Sequence, residues 1–196
     1  MSSNTQEVII IGAGLSGLAC ALELIKEGVG VQVLEQDDAP GGRVRTDKVE
    51  GFLLDRGFQV YLDAYPNAGQ LLDLAALDLQ SFEPGAIIFE KGKKYRLMDV
   101  FRRPRSLFSS ALSPIGNLMD KILVAKLRFS LKFSSIDKIQ KREDLATEVY
   151  LKKFGFSDGM IDRFFRSFYG GIFLENELRT SSRMFEFTFK MFTEGS

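Results

Sequence analysis

Histidine is absent from the 196 residues, so no His-based triad, imidazole proton shuttle or His metal site exists within them. Cysteine occurs once, at Cys20, which excludes an internal disulfide and points to a reducing, cytoplasmic setting. With neither imidazole nor a thiolate cluster, no metal is expected. Cys20 itself is expected as a small buried apolar residue on a helix. No apolar run is long enough to span a bilayer; the longest, Val8 to Leu22, is interrupted by glycines. The opening MSSNTQE is short and polar, without the basic and apolar pattern of a secretory signal. Net charge is zero and apolar content is 45%, both ordinary for a globular chain.

What the sequence has is concentrated near its start. Val8-Ile9-Ile10-Ile11 is a β-branched run expected to form a strand buried on both faces. It leads into Gly12-Ala13-Gly14-Leu15-Ser16-Gly17, a G-x-G-x-x-G. From Ser16 to Lys26 the apolar residues take helical spacing, with Leu18, Ala21, Leu22 and Ile25 on one side. Gly28 ends that helix, Val29 to Leu34 reads as a second strand, and Glu35 stands at its end. The order strand, glycines, helix, strand, acid is that of a dinucleotide-binding βαβ unit. Gly12 makes the sharp turn, Gly14 lets a pyrophosphate approach the backbone, and Gly17 lets helix and strand pack closely. The helix start at Leu15 and Ser16 offers unpaired N–H groups and a positive dipole end. Glu35, with Gln36 beside it, is placed to accept hydrogen bonds from a ribose diol.

Six residues past Glu35 comes Gly41-Gly42-Arg43, preceded by Ala39-Pro40. Two glycines and an arginine give a backbone nest with a fixed cation, which suits a diphosphate. Val44 to Val49 and Phe52 to Asp55 then flank Glu50-Gly51 as a hairpin, and Arg56-Gly57-Phe58-Gln59 follows. In this combination the sequence resembles the flavin-dependent amine oxidases, and more closely their phytoene-desaturase and protoporphyrinogen-oxidase-like branch. Phe168-Tyr169-Gly170-Gly171-Ile172-Phe173 is similar to that family's middle region. The resemblance implies FAD as cofactor, with Gly41, Gly42 and Arg43 contacting its pyrophosphate. It also implies Gly57, Phe58 and Gln59 near the isoalloxazine, with Arg56 close by. Chains of the family are about twice as long, so this one is expected to be incomplete.

The expected fold is α/β: a Rossmann-like FAD-binding domain over residues 1–90, then part of a helix-rich α+β substrate domain over 91–196. Expected elements are a helix from Asp63 to Asp78 opening near Pro66, and a hairpin of Ala86–Glu90 with Lys94–Met98. Helices are then expected over Ser106–Ala111, Pro114–Phe133, Asp144–Phe154, Asp158–Phe168 and Ser181–Phe192. Ser113-Pro114 reads as an N-cap and first helical residue.

Charge is unevenly spread: residues 1–90 carry 5 Lys+Arg against 14 Asp+Glu, and residues 91–142 carry 14 against 3. Within 114–133, Leu118, Ile122, Ala125, Phe129 and Phe133 make one face, punctuated by Lys121, Lys126, Arg128 and Lys132. The first expectation is a helix packing that face on its own domain. Peripheral contact of the basic 91–142 region with a membrane comes second. Ten of the eighteen phenylalanines fall after residue 150 and are expected mainly in a helical core. Expected partners are a small or lipophilic substrate and a second copy of the chain, with no nucleic acid. The function expected is an FAD-dependent oxidoreductase removing a hydride equivalent from a C–N or C–C bond. An NAD-dependent Rossmann dehydrogenase and a non-catalytic nucleotide-binding fragment stand as alternatives. The sequence identifies no catalytic acid or base.

Overall fold

Four β-branched residues, Val8–Ile11, form strand β1, and helix α1 (Leu15–Lys26) carries the chain back to a parallel strand β2 (Val31–Leu34). The register is Val8 opposite Val31 through Ile11 opposite Leu34. This computed structural model describes residues 8–57, 60–106 and 113–195. They divide into two units, Met1–Tyr61 and Leu62–Ser196.

In the first unit, β2 is followed by a 3-10 turn at Gly42–Val44 and an antiparallel hairpin of β3 (Thr46–Val49) with β4 (Phe52–Asp55). Glu50-Gly51 turns it with positive φ at both residues (50° and 87°), the geometry of a tight primed hairpin turn. Four expectations are corrected here. β2 begins at Val31 rather than Val29, because Gly30 spends its carbonyl on Val8 N–H before the ladder starts. β1 is not buried on both faces, since Ile11 is 88% exposed. A pair of parallel strands with one helix covers only one side. Cys20 is exposed, lying away from Ala21, the one buried residue of α1. Leu18, Leu22 and Ile25, expected as a core stripe, also face solvent.

The second unit opens with a short helix α2 (Ala68–Leu71) where a helix from Asp63 to Asp78 was expected. The Asp73 carboxylate accepts from the N–H groups of Ala75 and Ala76 (3.1 and 3.2 Å), a local turn that competes with helical bonding. The hairpin β5 (Gly85–Glu90) and β6 (Lys93–Met98) follows. Helices α3 (Leu118–Lys132), α4 (Ile136–Gln140) and α5 (Thr147–Phe154) come next. Helix α6 runs over 158–173, with a π-turn at Ile161–Phe165. Helix α7 is Ser182–Glu194. The helix expected at Ser106–Ala111 lies outside the described residues apart from a 3-10 turn at Pro104–Ser106.

The core belongs to this unit. Leu127, Leu131, Leu151, Phe165, Tyr169 and Phe185 are fully or almost fully buried, and Ile88, Tyr95 and Leu97 of the hairpin pack against them. Tyr169 and Phe185 rings lie 4.7 Å apart, and Phe156 meets Phe165 edge-on at 4.9 Å. The phenylalanines after residue 150 thus act mainly as helix core. Helix α7 carries buried polar groups at a four-residue spacing. Glu186 accepts from Arg142 (2.5 Å) and Tyr150 (2.7 Å), and Lys190 donates to Leu131 O (3.0 Å), satisfying a carbonyl at the end of α3. No helix among the described residues is long and apolar enough to cross a membrane.

Helix α3 starts at Leu118, capped by Asn117, rather than at Pro114, because Gly116 takes φ 68° and breaks the helical path. Asn117 and Asp120 then form a reciprocal capping box (2.8 and 2.9 Å). Asp120 is 1% exposed and also accepts from Ser157 N–H and Oγ (2.8 and 2.7 Å). Ser157 in turn caps α6 through Met160 N–H (3.2 Å). One carboxylate therefore fixes the starts of two helices. Helix α5 begins at Thr147 rather than Asp144, since Thr147 N–H donates to Thr180 O (2.9 Å) outside the helix. The outcome for α3's apolar face is opposite to the first expectation. The helix buries Asp120, Leu127 and Leu131, and Leu118, Ile122, Phe129 and Phe133 are exposed. Asp120→Ala is expected to lower stability by about 2–4 kcal/mol, read as a fall in the urea midpoint. A midpoint equal to wild type would refute the shared-cap role.

Candidate functional site

The glycine-rich loop between β1 and α1 is shaped by contacts that exclude side chains. A Cβ on Gly17 would overlap the carbonyl oxygen of Gly12, so only glycine lets α1 start this close to the strand. Gly12 N–H donates to Leu34 O (2.7 Å), holding the loop over the end of β2. Gly14 is the N-cap of α1, and no side chain caps the helix. The N–H groups of Leu15, Ser16 and Gly17 belong to the first turn, which has no intrahelical acceptors. A Cβ on Gly14 would meet nothing within 4 Å, so the loop fronts open space.

The second glycine pair sits against the first. Gly41 N–H donates to Ala13 O (2.9 Å), and Gly42, at φ 55°, faces the Cα of Gly14. Gly57 closes the same cluster: a Cβ there would stand 2.5 Å from Arg43 O. The structure thus brings together Gly12, Gly14, Leu15, Ser16, Gly17, Gly41, Gly42, Arg43 and Gly57, which the sequence scatters over 46 positions. Phe58 and Gln59 lie outside the described residues.

Glu35 also reaches this loop. Its carboxylate accepts from Ala13 N–H (2.6 Å), Gln36 N–H (2.8 Å) and Asp37 N–H (3.0 Å). These amides, Asp37 and Ala13 foremost, hold its carboxyl below the usual glutamate range. Three of roughly four acceptor positions on a carboxylate are therefore used, and one remains for a hydroxyl. Gln36 contributes its amide to Glu35 and is itself exposed.

Three arginines surround the loop and differ in commitment. Arg45 makes a bidentate pair with Asp38 (2.6 and 3.1 Å) and a bond to Asp47 (3.0 Å). Arg56 takes Asp47 (2.6 and 3.2 Å) and Asp37 (3.4 Å). Arg45 draws the Asp38 carboxyl downward, and Arg56 does the same for Asp47. Arg43 is exposed and has no ion-pair partner among the described residues. This ion-pair network was not read from the sequence. Its signal was the Arg-x-Asp at Arg45 and Asp47, facing Arg56 across a hairpin. The donor set of first-turn amides and one unengaged guanidinium suits a diphosphate, and the cluster of glycines leaves it backbone access.

In the second unit, β5 and the π-turn of α6 border a cleft of about 230 Å³ lined by Ile88, Phe89, Arg163, Phe164 and Phe168 among others. Phe164 and Phe168 stack in parallel at 5.6 Å. Two of the ten late phenylalanines therefore line a cavity as well as the core.

Two outcomes follow for the loop. Gly17→Ala should destabilise the first unit by about 1–3 kcal/mol, because the new methyl meets backbone that cannot yield; hydrogen exchange at β1 amides reads it, and unchanged protection would refute the contact. The Glu35 carboxyl is lowered in the folded chain, so its stabilisation is present above the ordinary glutamate pKa and is lost as pH falls from there through the lowered value. Glu35→Gln should flatten that acid-side slope of the urea midpoint, and a slope equal to wild type would show that the three amide bonds contribute nothing.

A profile of the family described as "Flavin containing amine oxidoreductase" matches residues 15–196. Among curated proteins, the chain is 36% identical over 78 residues to coproporphyrinogen III oxidase of Propionibacterium freudenreichii, taking in 40% of this chain and 15% of that protein. It is 40% identical over 68 residues to protoporphyrinogen oxidase 2 of Arabidopsis thaliana, which is 35% of this chain and 13% of that one. It is 42% identical over 64 residues to a zeta-carotene-forming phytoene desaturase of Myxococcus xanthus, 32% and 12% of the two chains. The fold is similar to that of a putrescine oxidase solved with putrescine bound, with TM-score 0.64 and 22% identity over 96% of this chain and 44% of that one. It is also similar to a putative protoporphyrinogen oxidase from Exiguobacterium sp. 255-15, with TM-score 0.54 and 21% identity over 84% and 37% of the two chains. The chain spans less than half the length of these proteins. With the family profile covering all but its first fourteen residues, the chain belongs to the flavin-containing amine oxidoreductases, a family of FAD-dependent oxidoreductase enzymes.

Proposed function

We propose that this chain supplies the dinucleotide-binding part of an FAD-dependent oxidoreductase acting on a C–N or C–C bond of a small or lipophilic substrate. The observation that carries the reading is the packing of Gly41-Gly42-Arg43 onto the Gly12–Gly17 loop through Gly41 N–H and Ala13 O. That contact joins two anion-binding devices, a helix start and a glycine nest, into one cradle. FAD, when bound, supplies the hydride-accepting chemistry. The N–H groups of Leu15, Ser16 and Gly17 and the Arg43 guanidinium bind the pyrophosphate, and the remaining acceptor position of Glu35 takes a ribose hydroxyl. Gly57 keeps the chain close to Arg43, and we assign Phe58 and Gln59 to the flavin end of the cofactor. The first unit, to Tyr61, serves the cofactor, and the second unit, whose cleft includes Ile88 and Phe89, serves the substrate. The porphyrinogen and carotenoid relatives favour a lipophilic substrate, and the Phe164–Phe168 cleft offers an apolar wall. An NAD-dependent dehydrogenase is not favoured, because it leaves the second glycine pair and Arg43 without a role.

Two variants separate binding from folding. Gly14→Val places its side chain in the open space before the loop and should remove FAD binding with thermal unfolding unchanged. Arg43→Ala should weaken FAD by about 1.5–3 kcal/mol, the range for hydrogen bonds to charged groups, again at constant stability. Quenching of flavin fluorescence reads both. FAD affinity equal to wild type in both variants would sink the assignment.

A further inference from the structure

Between strand β2 and the 3-10 turn at Gly42–Val44, residues 35–41 belong to no strand or helix. That stretch nevertheless delivers Gly41 and Gly42, at φ 122° and 55°, against the Gly12–Gly17 loop. Side-chain charge holds it in place. Arg45, directly after the turn, gives its fork to Asp38, before the turn (2.6 and 3.1 Å), and its Nε–H to Asp47 of β3 (3.0 Å). The guanidinium therefore spans the base of the turn and anchors it to the hairpin. The stem of Arg45 also stands against Gly41, where an added Cβ would come within 3.1 Å of its own Cβ. Arg56 ties the residue before Asp38: its guanidinium takes Asp47 and Asp37, and its backbone N–H donates to Arg45 O (3.0 Å). Asp37 N–H donates in turn to the Glu35 carboxylate (3.0 Å), which accepts from Ala13 N–H (2.6 Å). Bonds thus run in a circuit from the hairpin, through residues 35–38, to the first glycine loop.

We propose that Arg45 is a positioning residue for the cofactor: clasped to Asp38 across the turn, it holds Gly41-Gly42-Arg43 in the diphosphate-binding arrangement before the ligand arrives. The inference rests on the FAD reading above and extends it to a residue that acts through the turn rather than on the phosphate. Charge separates this role from simple attraction. Asp37, Asp38 and Asp47 face Arg45 and Arg56, three carboxylates against two guanidinium groups, so the circuit carries one excess negative charge and attracts no anion by itself. Asp38 is 78% exposed on its side chain and Arg45 16%, so Asp38 can be neutralised without opening a core. By charge alone, neutralising Asp38 would favour an anionic ligand and would release Arg45 toward it. As half of a clasp, its loss frees the turn and weakens the same ligand. The two readings predict opposite signs.

The test is calorimetric titration of the purified chain with FAD, with ADP, which is the diphosphate half of FAD, and with AMP, which lacks the second phosphate. Asp38→Asn is expected to weaken ADP and FAD about fivefold, the upper end for one partly exposed ion pair, and to leave AMP unchanged. Arg45→Met, which loses both partners, should weaken them further. Arg45→Lys should match Arg45→Met, because an ammonium keeps the charge but not the fork. In all three variants hydrogen exchange at Gly41 N–H should quicken while β1 amides keep wild-type protection. ADP affinity equal to or above wild type in Asp38→Asn, parallel loss of ADP and AMP, full recovery in Arg45→Lys, or unchanged exchange at Gly41 overturns the proposal. A wild-type chain that binds neither ADP nor FAD overturns the FAD reading and this inference together, whereas wild-type binding with unaltered variants overturns this inference alone.

Discussion

Two backbone approaches that leave no room for a Cβ organise the first unit: Gly17 against the carbonyl of Gly12, and Gly57 against the carbonyl of Arg43. The first sets the distance between α1 and β1, and so aims the unpaired amides of the helix start at open space. The second draws the end of the hairpin onto the Gly42–Val44 turn. Between them, Gly41 N–H reaches Ala13 O, and the two glycine turns become one surface. A methyl group at either position would push these backbone segments apart.

Around that surface the charges are sorted by commitment. Asp37, Asp38 and Asp47 occupy Arg45 and Arg56, which ties β2's exit to the hairpin. Such pairs are partly exposed and add little stability singly; Arg43 has no ion-pair partner among the described residues. Glu35 has a double part, accepting three backbone amides that shape the loop and keeping one acceptor position outward. The first unit thus gathers one cation, the first-turn amides and a carboxylate with an outward acceptor position, the groups that the proposed reading assigns to the pyrophosphate and ribose of FAD.

Much of this was legible in the sequence because glycine spacing encodes backbone geometry directly. Strand, loop, helix and hairpin all fall within a residue or two of where the pattern places them. What was not legible depended on contacts distant in sequence. The apolar spacing of Leu71, Leu72, Ala75 and Leu77 reads as helix, yet Asp73 bonds its own neighbours. Ser113-Pro114 reads as a helix start, yet Gly116 and the buried Asp120, held by Ser157, move it to Leu118. Periodicity also located α3's apolar face but could not give its direction, since Leu127 and Leu131 form a rival face that the aromatic core of α6 and α7 takes up. The ion pairs of Arg45 and Arg56 needed the hairpin register to be seen.

We propose that the first-turn amides and the second glycine turn bind one diphosphate. An amide ¹⁵N–¹H titration of the labelled chain with FAD tests it residue by residue. Shifts concentrated at Leu15, Ser16, Gly17, Gly42 and Arg43, with Glu35 following and NADH producing weaker changes, are the predicted result. Shifts confined to the second unit, or a loop that responds to NADH while Gly42 and Arg43 stay still, would contradict it.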